Sequence, residues 1–133
     1  MLVTNFPEVK VMYVESENGI QGSSLAFDKL EAKLPTLKKR KFHGVIWGSI
    51  PKEKYWAGVE ISDKKEAALY GFEIGVIPEG KYVQEKVKDW SKNLDQIGKI
   101  FSKLSKEFSV DDTRPSIEFY RSMDEVLLRL PIK

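Results

Sequence analysis

The sequence predicts an α+β domain built from two copies of a strand–helix–strand–strand unit. Runs of alternating apolar residues indicate strands, and two stretches with apolar residues three and four positions apart indicate amphipathic helices. The same order of elements occurs twice in 133 residues, over residues 6–63 and 71–133. Tyr13 and Tyr82 are placed at matching points of the two copies, which favours a structural role for both. One copy would leave a sheet face bare, so the two are expected to pack together, with a seam where small-molecule clefts form.

The first copy begins with a strand in the run VKVMYVES, residues 9–16, which an Asn-Gly pair then breaks. An amphipathic helix follows, and Pro35 is expected to end or bend it. The apolar stripe of this helix comprises Phe27, Leu30, Leu34 and Leu37. Two further strands are predicted in the runs FHGVIWGSI and KYWAGVEIS, which a short loop around Pro51 joins.

The second copy repeats this order after a weakly helical segment, residues 61–71. A strand is predicted over residues 71–88, and Asn93 is placed to cap the helix that follows. The apolar stripe of this second helix comprises Leu94, Ile97, Phe101, Leu104 and Phe108. The runs PSIEFYRS and DEVLLRLPI then form two strands, joined by a tight turn near Met123.

The composition excludes several kinds of site. The chain has no cysteine, which excludes disulfides, a thiolate nucleophile and zinc sites built on sulfur. The single histidine, His43, lies in the run FHGVIWG, which favours a strand-end residue over a catalytic base. Because the carboxylates are scattered and no phosphate-binding glycine loop is present, no metal and no cofactor are expected.

Charge and hydropathy restrict the partners. Since 22 basic side chains nearly balance 20 acidic ones, the net charge of +2 gives no argument for a nucleic-acid partner. No apolar run approaches the ~20 residues of a membrane span, and the N-terminus lacks a signal-peptide pattern. A soluble cytoplasmic protein is therefore expected.

Four segments carry a resemblance to a known family: NFPEVKVMYVESENG, IPEGKYVQEKVKDW, PSIEFY and LRLPIK. Together they resemble the GyrI-like family, the effector-binding domain of AraC-type and MerR-type multidrug regulators. The resemblance implies one antiparallel sheet with both long helices on one face and a ligand groove at the repeat junction. It also implies a single ligand-binding domain over residues 1–133. Since the strand pattern starts within ten residues of Met1, no DNA-binding domain is expected.

Glu118 stands out as an acid within an apolar strand. Alternation predicts Ile117 and Phe119 on the helix-packed side and Glu118 and Tyr120 on the open face, which the resemblance identifies as the ligand side. A carboxylate beside aromatic rings suits an organic cation. Arg129 is expected opposite Glu118, so a cross-strand ion pair is an equally weighted alternative to a ligand role.

Trp56 is the second candidate. The same alternation places it on the open face among Gly44, Gly48 and Gly58, which favours a ligand platform, although a one-residue shift would bury Trp56 and expose Tyr55 instead. Trp47 is expected on the helix side, as a core residue. Trp90 is expected either as a pocket wall or as a hydrophobic staple on the second helix.

The function expected is that of a stand-alone binding protein for an aromatic small molecule, cationic or amphipathic in character. The predicted ligand-binding residues are Glu118, Tyr120, Trp56, Trp90, Ile46, Leu127 and Arg129. One alternative is a hydrolase of strained or reactive small molecules, in which Glu118 acts as general base and Tyr120 donates to an oxyanion. The other is a gyrase inhibitor, which would have a partner protein.

Overall fold

Eight strands and three α-helices make up the computed structural model, which describes residues 1–133. The strands are β1 Leu2–Phe6, β2 Val9–Glu15, β3 Phe42–Trp47, β4 Lys54–Glu60, β5 Glu73–Ile77, β6 Gly80–Lys88, β7 Ser116–Tyr120 and β8 Glu125–Pro131. The helices are α1 Ser23–Ala32, α2 Lys65–Tyr70 and α3 Leu94–Glu107, and single 3-10 turns cover Gly19–Gly22 and Trp90–Lys92. No helix is both long and apolar enough to cross a membrane.

All eight strands form one antiparallel sheet in the order β1-β6-β8-β7-β3-β4-β2-β5. This order is symmetric about the central β7–β3 pair, since the strands of the second half of the chain mirror those of the first. The two halves exchange their edge strands. Strand β1, from the first half, pairs with β6 of the second, and β5, from the second half, pairs with β2 of the first. The predicted α+β fold with an antiparallel sheet is confirmed.

The two long helices cover one face of this sheet. Helix α1 packs on β2 and β4, and α3 packs on β6 and β8, so the central strands β7 and β3 run between the two helices. The core under α1 comprises Met12, Ala26, Leu30, Leu34, Tyr55, Ala57, Val59 and Ala67. The core under α3 comprises Val83, Val87, Leu104, Val126, Leu128, Leu130 and Ile132.

The face without helices is also buried, because the sheet curls. The two-residue link Pro78-Glu79 connects β5, at one edge of the sheet, to β6, next to the other edge, so these strand ends must meet. The curled sheet encloses a second core of Val11, Val45, Ile77, Tyr82 and Ile117. Apolar residues are therefore required on both faces of the central strands.

Several predicted element boundaries need correction. The strand predicted over residues 71–88 is two strands, because Pro78 lacks a ladder N–H and the guanidinium of Arg114 occupies the place of a side chain at Gly80, which has φ +154. Helix α1 ends at Ala32, before Pro35. The side chain of Asn93 makes no capping hydrogen bond to α3.

The matching of Tyr13 with Tyr82 is also wrong. The segments Pro7–Lys10 and Pro78–Lys81 share the letters Pro-Glu-x-Lys and lie at equivalent points, each leading into the long second strand of its half. Counted from them, Tyr82 corresponds to Val11, which belongs to the same buried cluster.

Candidate functional site

The central strand β7 places Glu118 and Tyr120 toward the helices, which reverses the predicted face. Tyr120 is a partner of Val126 in the ladder, and Glu118 is a partner of Leu128, both of which belong to the core under α3. Ile117 instead faces the enclosed core on the other side. Sequence alternation separates two sets of side chains but does not say which set faces a helix when both are buried.

The predicted pairing of Glu118 with Arg129 is wrong by one residue. The ladder centred on Met123 pairs Glu118 with Leu128 and Ile117 with Arg129, so the turn was placed correctly but the partner was not. A shift of one residue moves a side chain to the opposite face. Arg129 makes no ion pair with Glu118, and neither it nor Leu127 lies beside the carboxylate.

Glu118 lies at the centre of a hydrogen-bonded group of three residues. The hydroxyl of Tyr55 donates to its Oε1 over 2.7 Å, and the hydroxyl of Tyr120 donates to the same oxygen over 2.9 Å. Gly44, the ladder partner of Glu118 on β3, makes room for this arrangement. A Cβ at Gly44 would collide with the Tyr55 hydroxyl and with Oε1 of Glu118.

Burial controls the protonation of this group. Glu118 is only 6% exposed, and the loss of solvation raises its pKa, although the hydrogen bonds from the two tyrosines oppose the rise. Burial and the neighbouring carboxylate also raise the pKa of both Tyr55 and Tyr120. Both tyrosines therefore remain protonated and act as donors.

The second carboxylate oxygen, Oε2, is free of protein partners. Both hydrogen bonds end on Oε1, and Oε2 is not among the side-chain atoms that are fully buried and unpaired. It follows that Oε2 retains some solvent-accessible surface. The carboxylate thus offers one open acceptor at the bottom of a largely dry site.

Aromatic rings from both halves of the chain surround the carboxylate. The ring of Phe27, on α1, packs edge-on against Tyr120 at 5.6 Å and against Tyr55 at 6.2 Å. Trp90 also packs edge-on against Tyr120, at 4.9 Å, and donates from Nε1 to the carbonyl of Ser122. Phe27, Tyr120 and Trp90 are each half-buried, so their outer surfaces line the seam between the two helices.

Ile46 lies on this same face of β3, but the predicted platform Trp56 does not. Trp56 is on the face without helices, where its ring stacks on Tyr13 at 4.1 Å and its Nε1 donates to Glu15. Trp47 lies beside it at 5.3 Å, and not on the helix side as predicted. Two sets of predicted residues therefore lie on opposite faces of the sheet.

The glycines predicted around Trp56 are divided in the same way. Gly58 is on its face of the sheet, Gly44 lies under Tyr55 on the helix face, and Gly48 follows the end of β3. The predicted hollow around Trp56 is therefore not formed by these three residues.

Tyr55 is the site residue that the predicted face excluded. Its signal in the sequence is the alternation itself, since the one-residue shift considered for Trp56 is the arrangement observed. His43 is a buried strand residue on the other face, where its Nε2 lies 2.7 Å from Oε2 of Glu60. No group of three or more potential metal-ligating side chains is present.

Two surface cavities lie away from this site. They have volumes of about 280 and 550 Å³, and both are formed by the turn that precedes α1 and its neighbours. Glu118 lines neither of them.

No protein-family model and no curated protein matches the sequence, whereas solved structures do match the fold. An integron cassette protein from the mobile metagenome of Vibrio cholerae superimposes with a TM-score of 0.74 at 12% identity, covering 99% of this chain and 95% of that chain. SAV2435, in a structure bound to tetraphenylphosphonium, gives 0.70 at 7% identity, covering 99% and 93%. A hydrolase from Listeria innocua gives 0.64 at 16% identity, covering 99% and 90%. These likenesses show the fold.

Proposed function

We propose that the protein is a GyrI-like binding module that captures an aromatic organic cation between its two long helices, with Glu118 as the counter-ion. The observation that carries this proposal is the buried Glu118 carboxylate, whose Oε1 is held by two tyrosines while Oε2 has no partner. The predicted ligand residues Tyr120, Trp90 and Ile46 belong to this proposal, and Tyr55 and Phe27 join them.

Electrostatics favour a cation at this position. A carboxylate with no cationic partner in a dry environment is costly, and a positive charge placed near Oε2 offsets that cost. The rings of Phe27, Tyr120 and Trp90 supply faces for cation–π contact. The fold neighbour SAV2435 is bound to tetraphenylphosphonium, which combines a positive charge with aromatic rings and supports the same ligand class here.

The test is calorimetric titration with two probes of matched shape and opposite charge, tetraphenylphosphonium and tetraphenylborate. We expect the cation to bind and the anion not to bind. Glu118→Gln should weaken cation binding about tenfold or more, as the loss of a partly desolvated charge contact implies. The matched control is Glu15→Gln, because Glu15 sits beside Trp56 on the other face and should leave the affinity unchanged.

The pH dependence provides a second check. Because the cation binds the ionised form of Glu118, its affinity should fall as the pH drops through the raised pKa of this residue. Equal binding of the cation by wild type and Glu118→Gln would remove Glu118 from the site. A loss of binding in Glu15→Gln alone would instead move the ligand to the face of Trp56.

A hydrolase is the second candidate function, favoured by the raised pKa of Glu118 beside two tyrosine donors. A carboxylate with a raised pKa is a better general base near neutral pH, and a tyrosine can donate to a developing oxyanion. Arg129, which would have opposed the raised pKa, lies on the other face of the sheet. Turnover of a reactive ester that is abolished in Glu118→Gln, with cation binding absent in wild type, would favour this candidate.

A further inference from the structure

A half-buried arginine on the face without helices has no acidic partner. Arg129 donates from Nε to Oε1 of Gln84 over 2.9 Å. Its guanidinium lies 4.0 Å from the centre of the Phe6 ring and 5.3 Å from the centre of the Phe119 ring. None of the ion pairs in the protein includes Arg129, and its Nη1 and Nη2 make no hydrogen bond to the protein.

The other half-buried arginines are engaged more fully. Arg40 makes two hydrogen bonds to the carboxylate of Glu66. Arg114 uses all three of its nitrogens, on Asp111 and on two backbone carbonyls. Arg129 alone in this group keeps both terminal amino groups available.

The surroundings of Arg129 hold it in place, and the one carboxylate whose charge acts on it, that of Glu60, forms no ion pair with the guanidinium. Phe119 stacks on the ring of His43 at 4.6 Å. Nε2 of His43 lies 2.7 Å from Oε2 of Glu60, an acid on the same face of the sheet. Burial lowers the pKa of Arg129, which reports the cost of removing its charge from water. An anion at Nη1 and Nη2 would offset this cost.

We propose that Arg129 is the anchor of a second ligand site, which binds the carboxylate of a small aromatic acid through Nη1 and Nη2. The planar fork of a guanidinium matches the two oxygens of a carboxylate. Gln84 and the two phenylalanine rings fix the fork before the ligand arrives, which reduces the entropy lost on binding. One guanidinium balances the single charge of a carboxylate but not that of a phosphate dianion.

The phenylalanines also favour an aromatic group in the part of the ligand beyond its carboxylate. Phe6 and Phe119 are half-buried, and because the guanidinium and His43 already lie over these rings, an aromatic ligand would contact their apolar edges. This site lies on the opposite face of the sheet from Glu118 and does not depend on the cation proposed there.

The experiment is an NMR titration that follows the Nε–Hε signal of Arg129, with benzoate, benzamide and inorganic phosphate as probes. Benzoate should shift this signal in a saturable manner, benzamide should not, and phosphate should bind more weakly. Arg129→Gln should bind benzoate about tenfold more weakly or worse, and Arg129→Lys should fall between it and wild type, as a charge without the fork geometry implies. Arg121→Gln, which removes the same charge from an exposed arginine outside both sites, is the matched control and should bind benzoate like wild type.

Three results would overturn the proposal: no benzoate shift at Arg129 Nε, unchanged benzoate affinity in Arg129→Gln, or phosphate binding as tight as that of benzoate. Equal weakening of benzoate binding in Arg121→Gln would also count against it, because the acid would then be held by general positive charge and not by Arg129. If Arg129→Gln does not fold, Arg129→Lys and the wild-type signal decide the question.

Discussion

Gly44→Ala tests the geometry around Glu118 most directly. Gly44 lies opposite Glu118 in the ladder and has no positive φ, so the backbone tolerates alanine at this position. The added Cβ would collide with the hydroxyl of Tyr55 and with Oε1 of Glu118. The substitution therefore perturbs the carboxylate group without changing any titratable residue.

The expected loss of stability has two sources. Forcing an extra carbon into a packed core costs ~1–3 kcal/mol. If the Tyr55 hydroxyl moves away, the buried carboxylate of Glu118 loses one of its two hydrogen bonds, which costs a further ~1–3 kcal/mol. The gain from replacing a strand glycine is only ~0.5–1 kcal/mol. We expect Gly44→Ala to lower the free energy of unfolding by about 1–5 kcal/mol.

Urea unfolding measures this loss, and Gly98→Ala is the matched control. Gly98 lies on α3, and a Cβ there meets no atom within 4 Å. The control should therefore raise the free energy of unfolding by up to ~1 kcal/mol, from helix propensity alone. A second variant, Gly44→Ala with Tyr55→Phe, removes the hydroxyl oxygen that the new Cβ meets.

The double substitution should cost less than the sum of the two single ones, by roughly 1 kcal/mol or more, because the collision and the hydrogen bond involve the same oxygen. Additive effects would mean that the Tyr55 hydroxyl does not lie over Gly44. Unchanged stability of Gly44→Ala would show that the space above Gly44 is open, and the described site would be wrong.

Three further predictions concern charged groups. Burial raises the pKa of Glu118 above 4.5. Its contribution to stability is therefore present below pH 4.5 and is lost as the pH rises through the raised pKa. Glu118→Gln should then unfold at a higher urea concentration than wild type at neutral pH, and this difference should disappear in acid. Burial lowers the pKa of His43 below 6.5 despite its hydrogen bond to Glu60, so the free energy of unfolding should fall as the pH drops below 6.5. Urea unfolding of His43→Gln should lack this pH dependence, and NMR titration of the wild type should give the lowered pKa of the ring. Arg40→Ala should cost ~1 kcal/mol in thermal unfolding, since it breaks a two-bond ion pair with Glu66, and an unchanged midpoint would contradict this.

Helix α3 and most strands could be predicted because their apolar periodicity is strong. The α3 stripe and the alternation in PSIEFYRS identify their elements without any partner. The edge strands β1 and β5 were not predicted as separate strands, since their ladders come from the other half of the chain. The local sequence pattern does not indicate that an edge strand pairs with the other half of the chain.

The face of the sheet could not be predicted from alternation. Ile117 is more apolar than Glu118, which favours the helix side for Ile117 when only one face is buried. The curl of the sheet buries both faces, so Ile117 enters the enclosed core and Glu118 goes under the helices. Tyr55 and Trp56 were exchanged by a one-residue shift in the register of β3 with β4, and Arg129 was misplaced by a one-residue shift between β7 and β8.

The symmetry of the sheet explains why the carboxylate is at its centre. Gly44 is the third residue of β3, and Glu118 is the third residue of β7, so they are counterparts in the two halves of the chain as well as ladder partners. A position where counterparts face each other lies on the symmetry axis, and two glutamates there would repel each other in a dry environment. Glycine on one side removes that repulsion and admits the Tyr55 hydroxyl, which binds the one remaining carboxylate. A Gly44→Glu variant should thus either fail to fold or share one proton between its two carboxyl groups, with a pKa well above that of an ordinary glutamate. Native-like stability with both carboxylates ionised at neutral pH, as measured by NMR titration, would contradict this prediction.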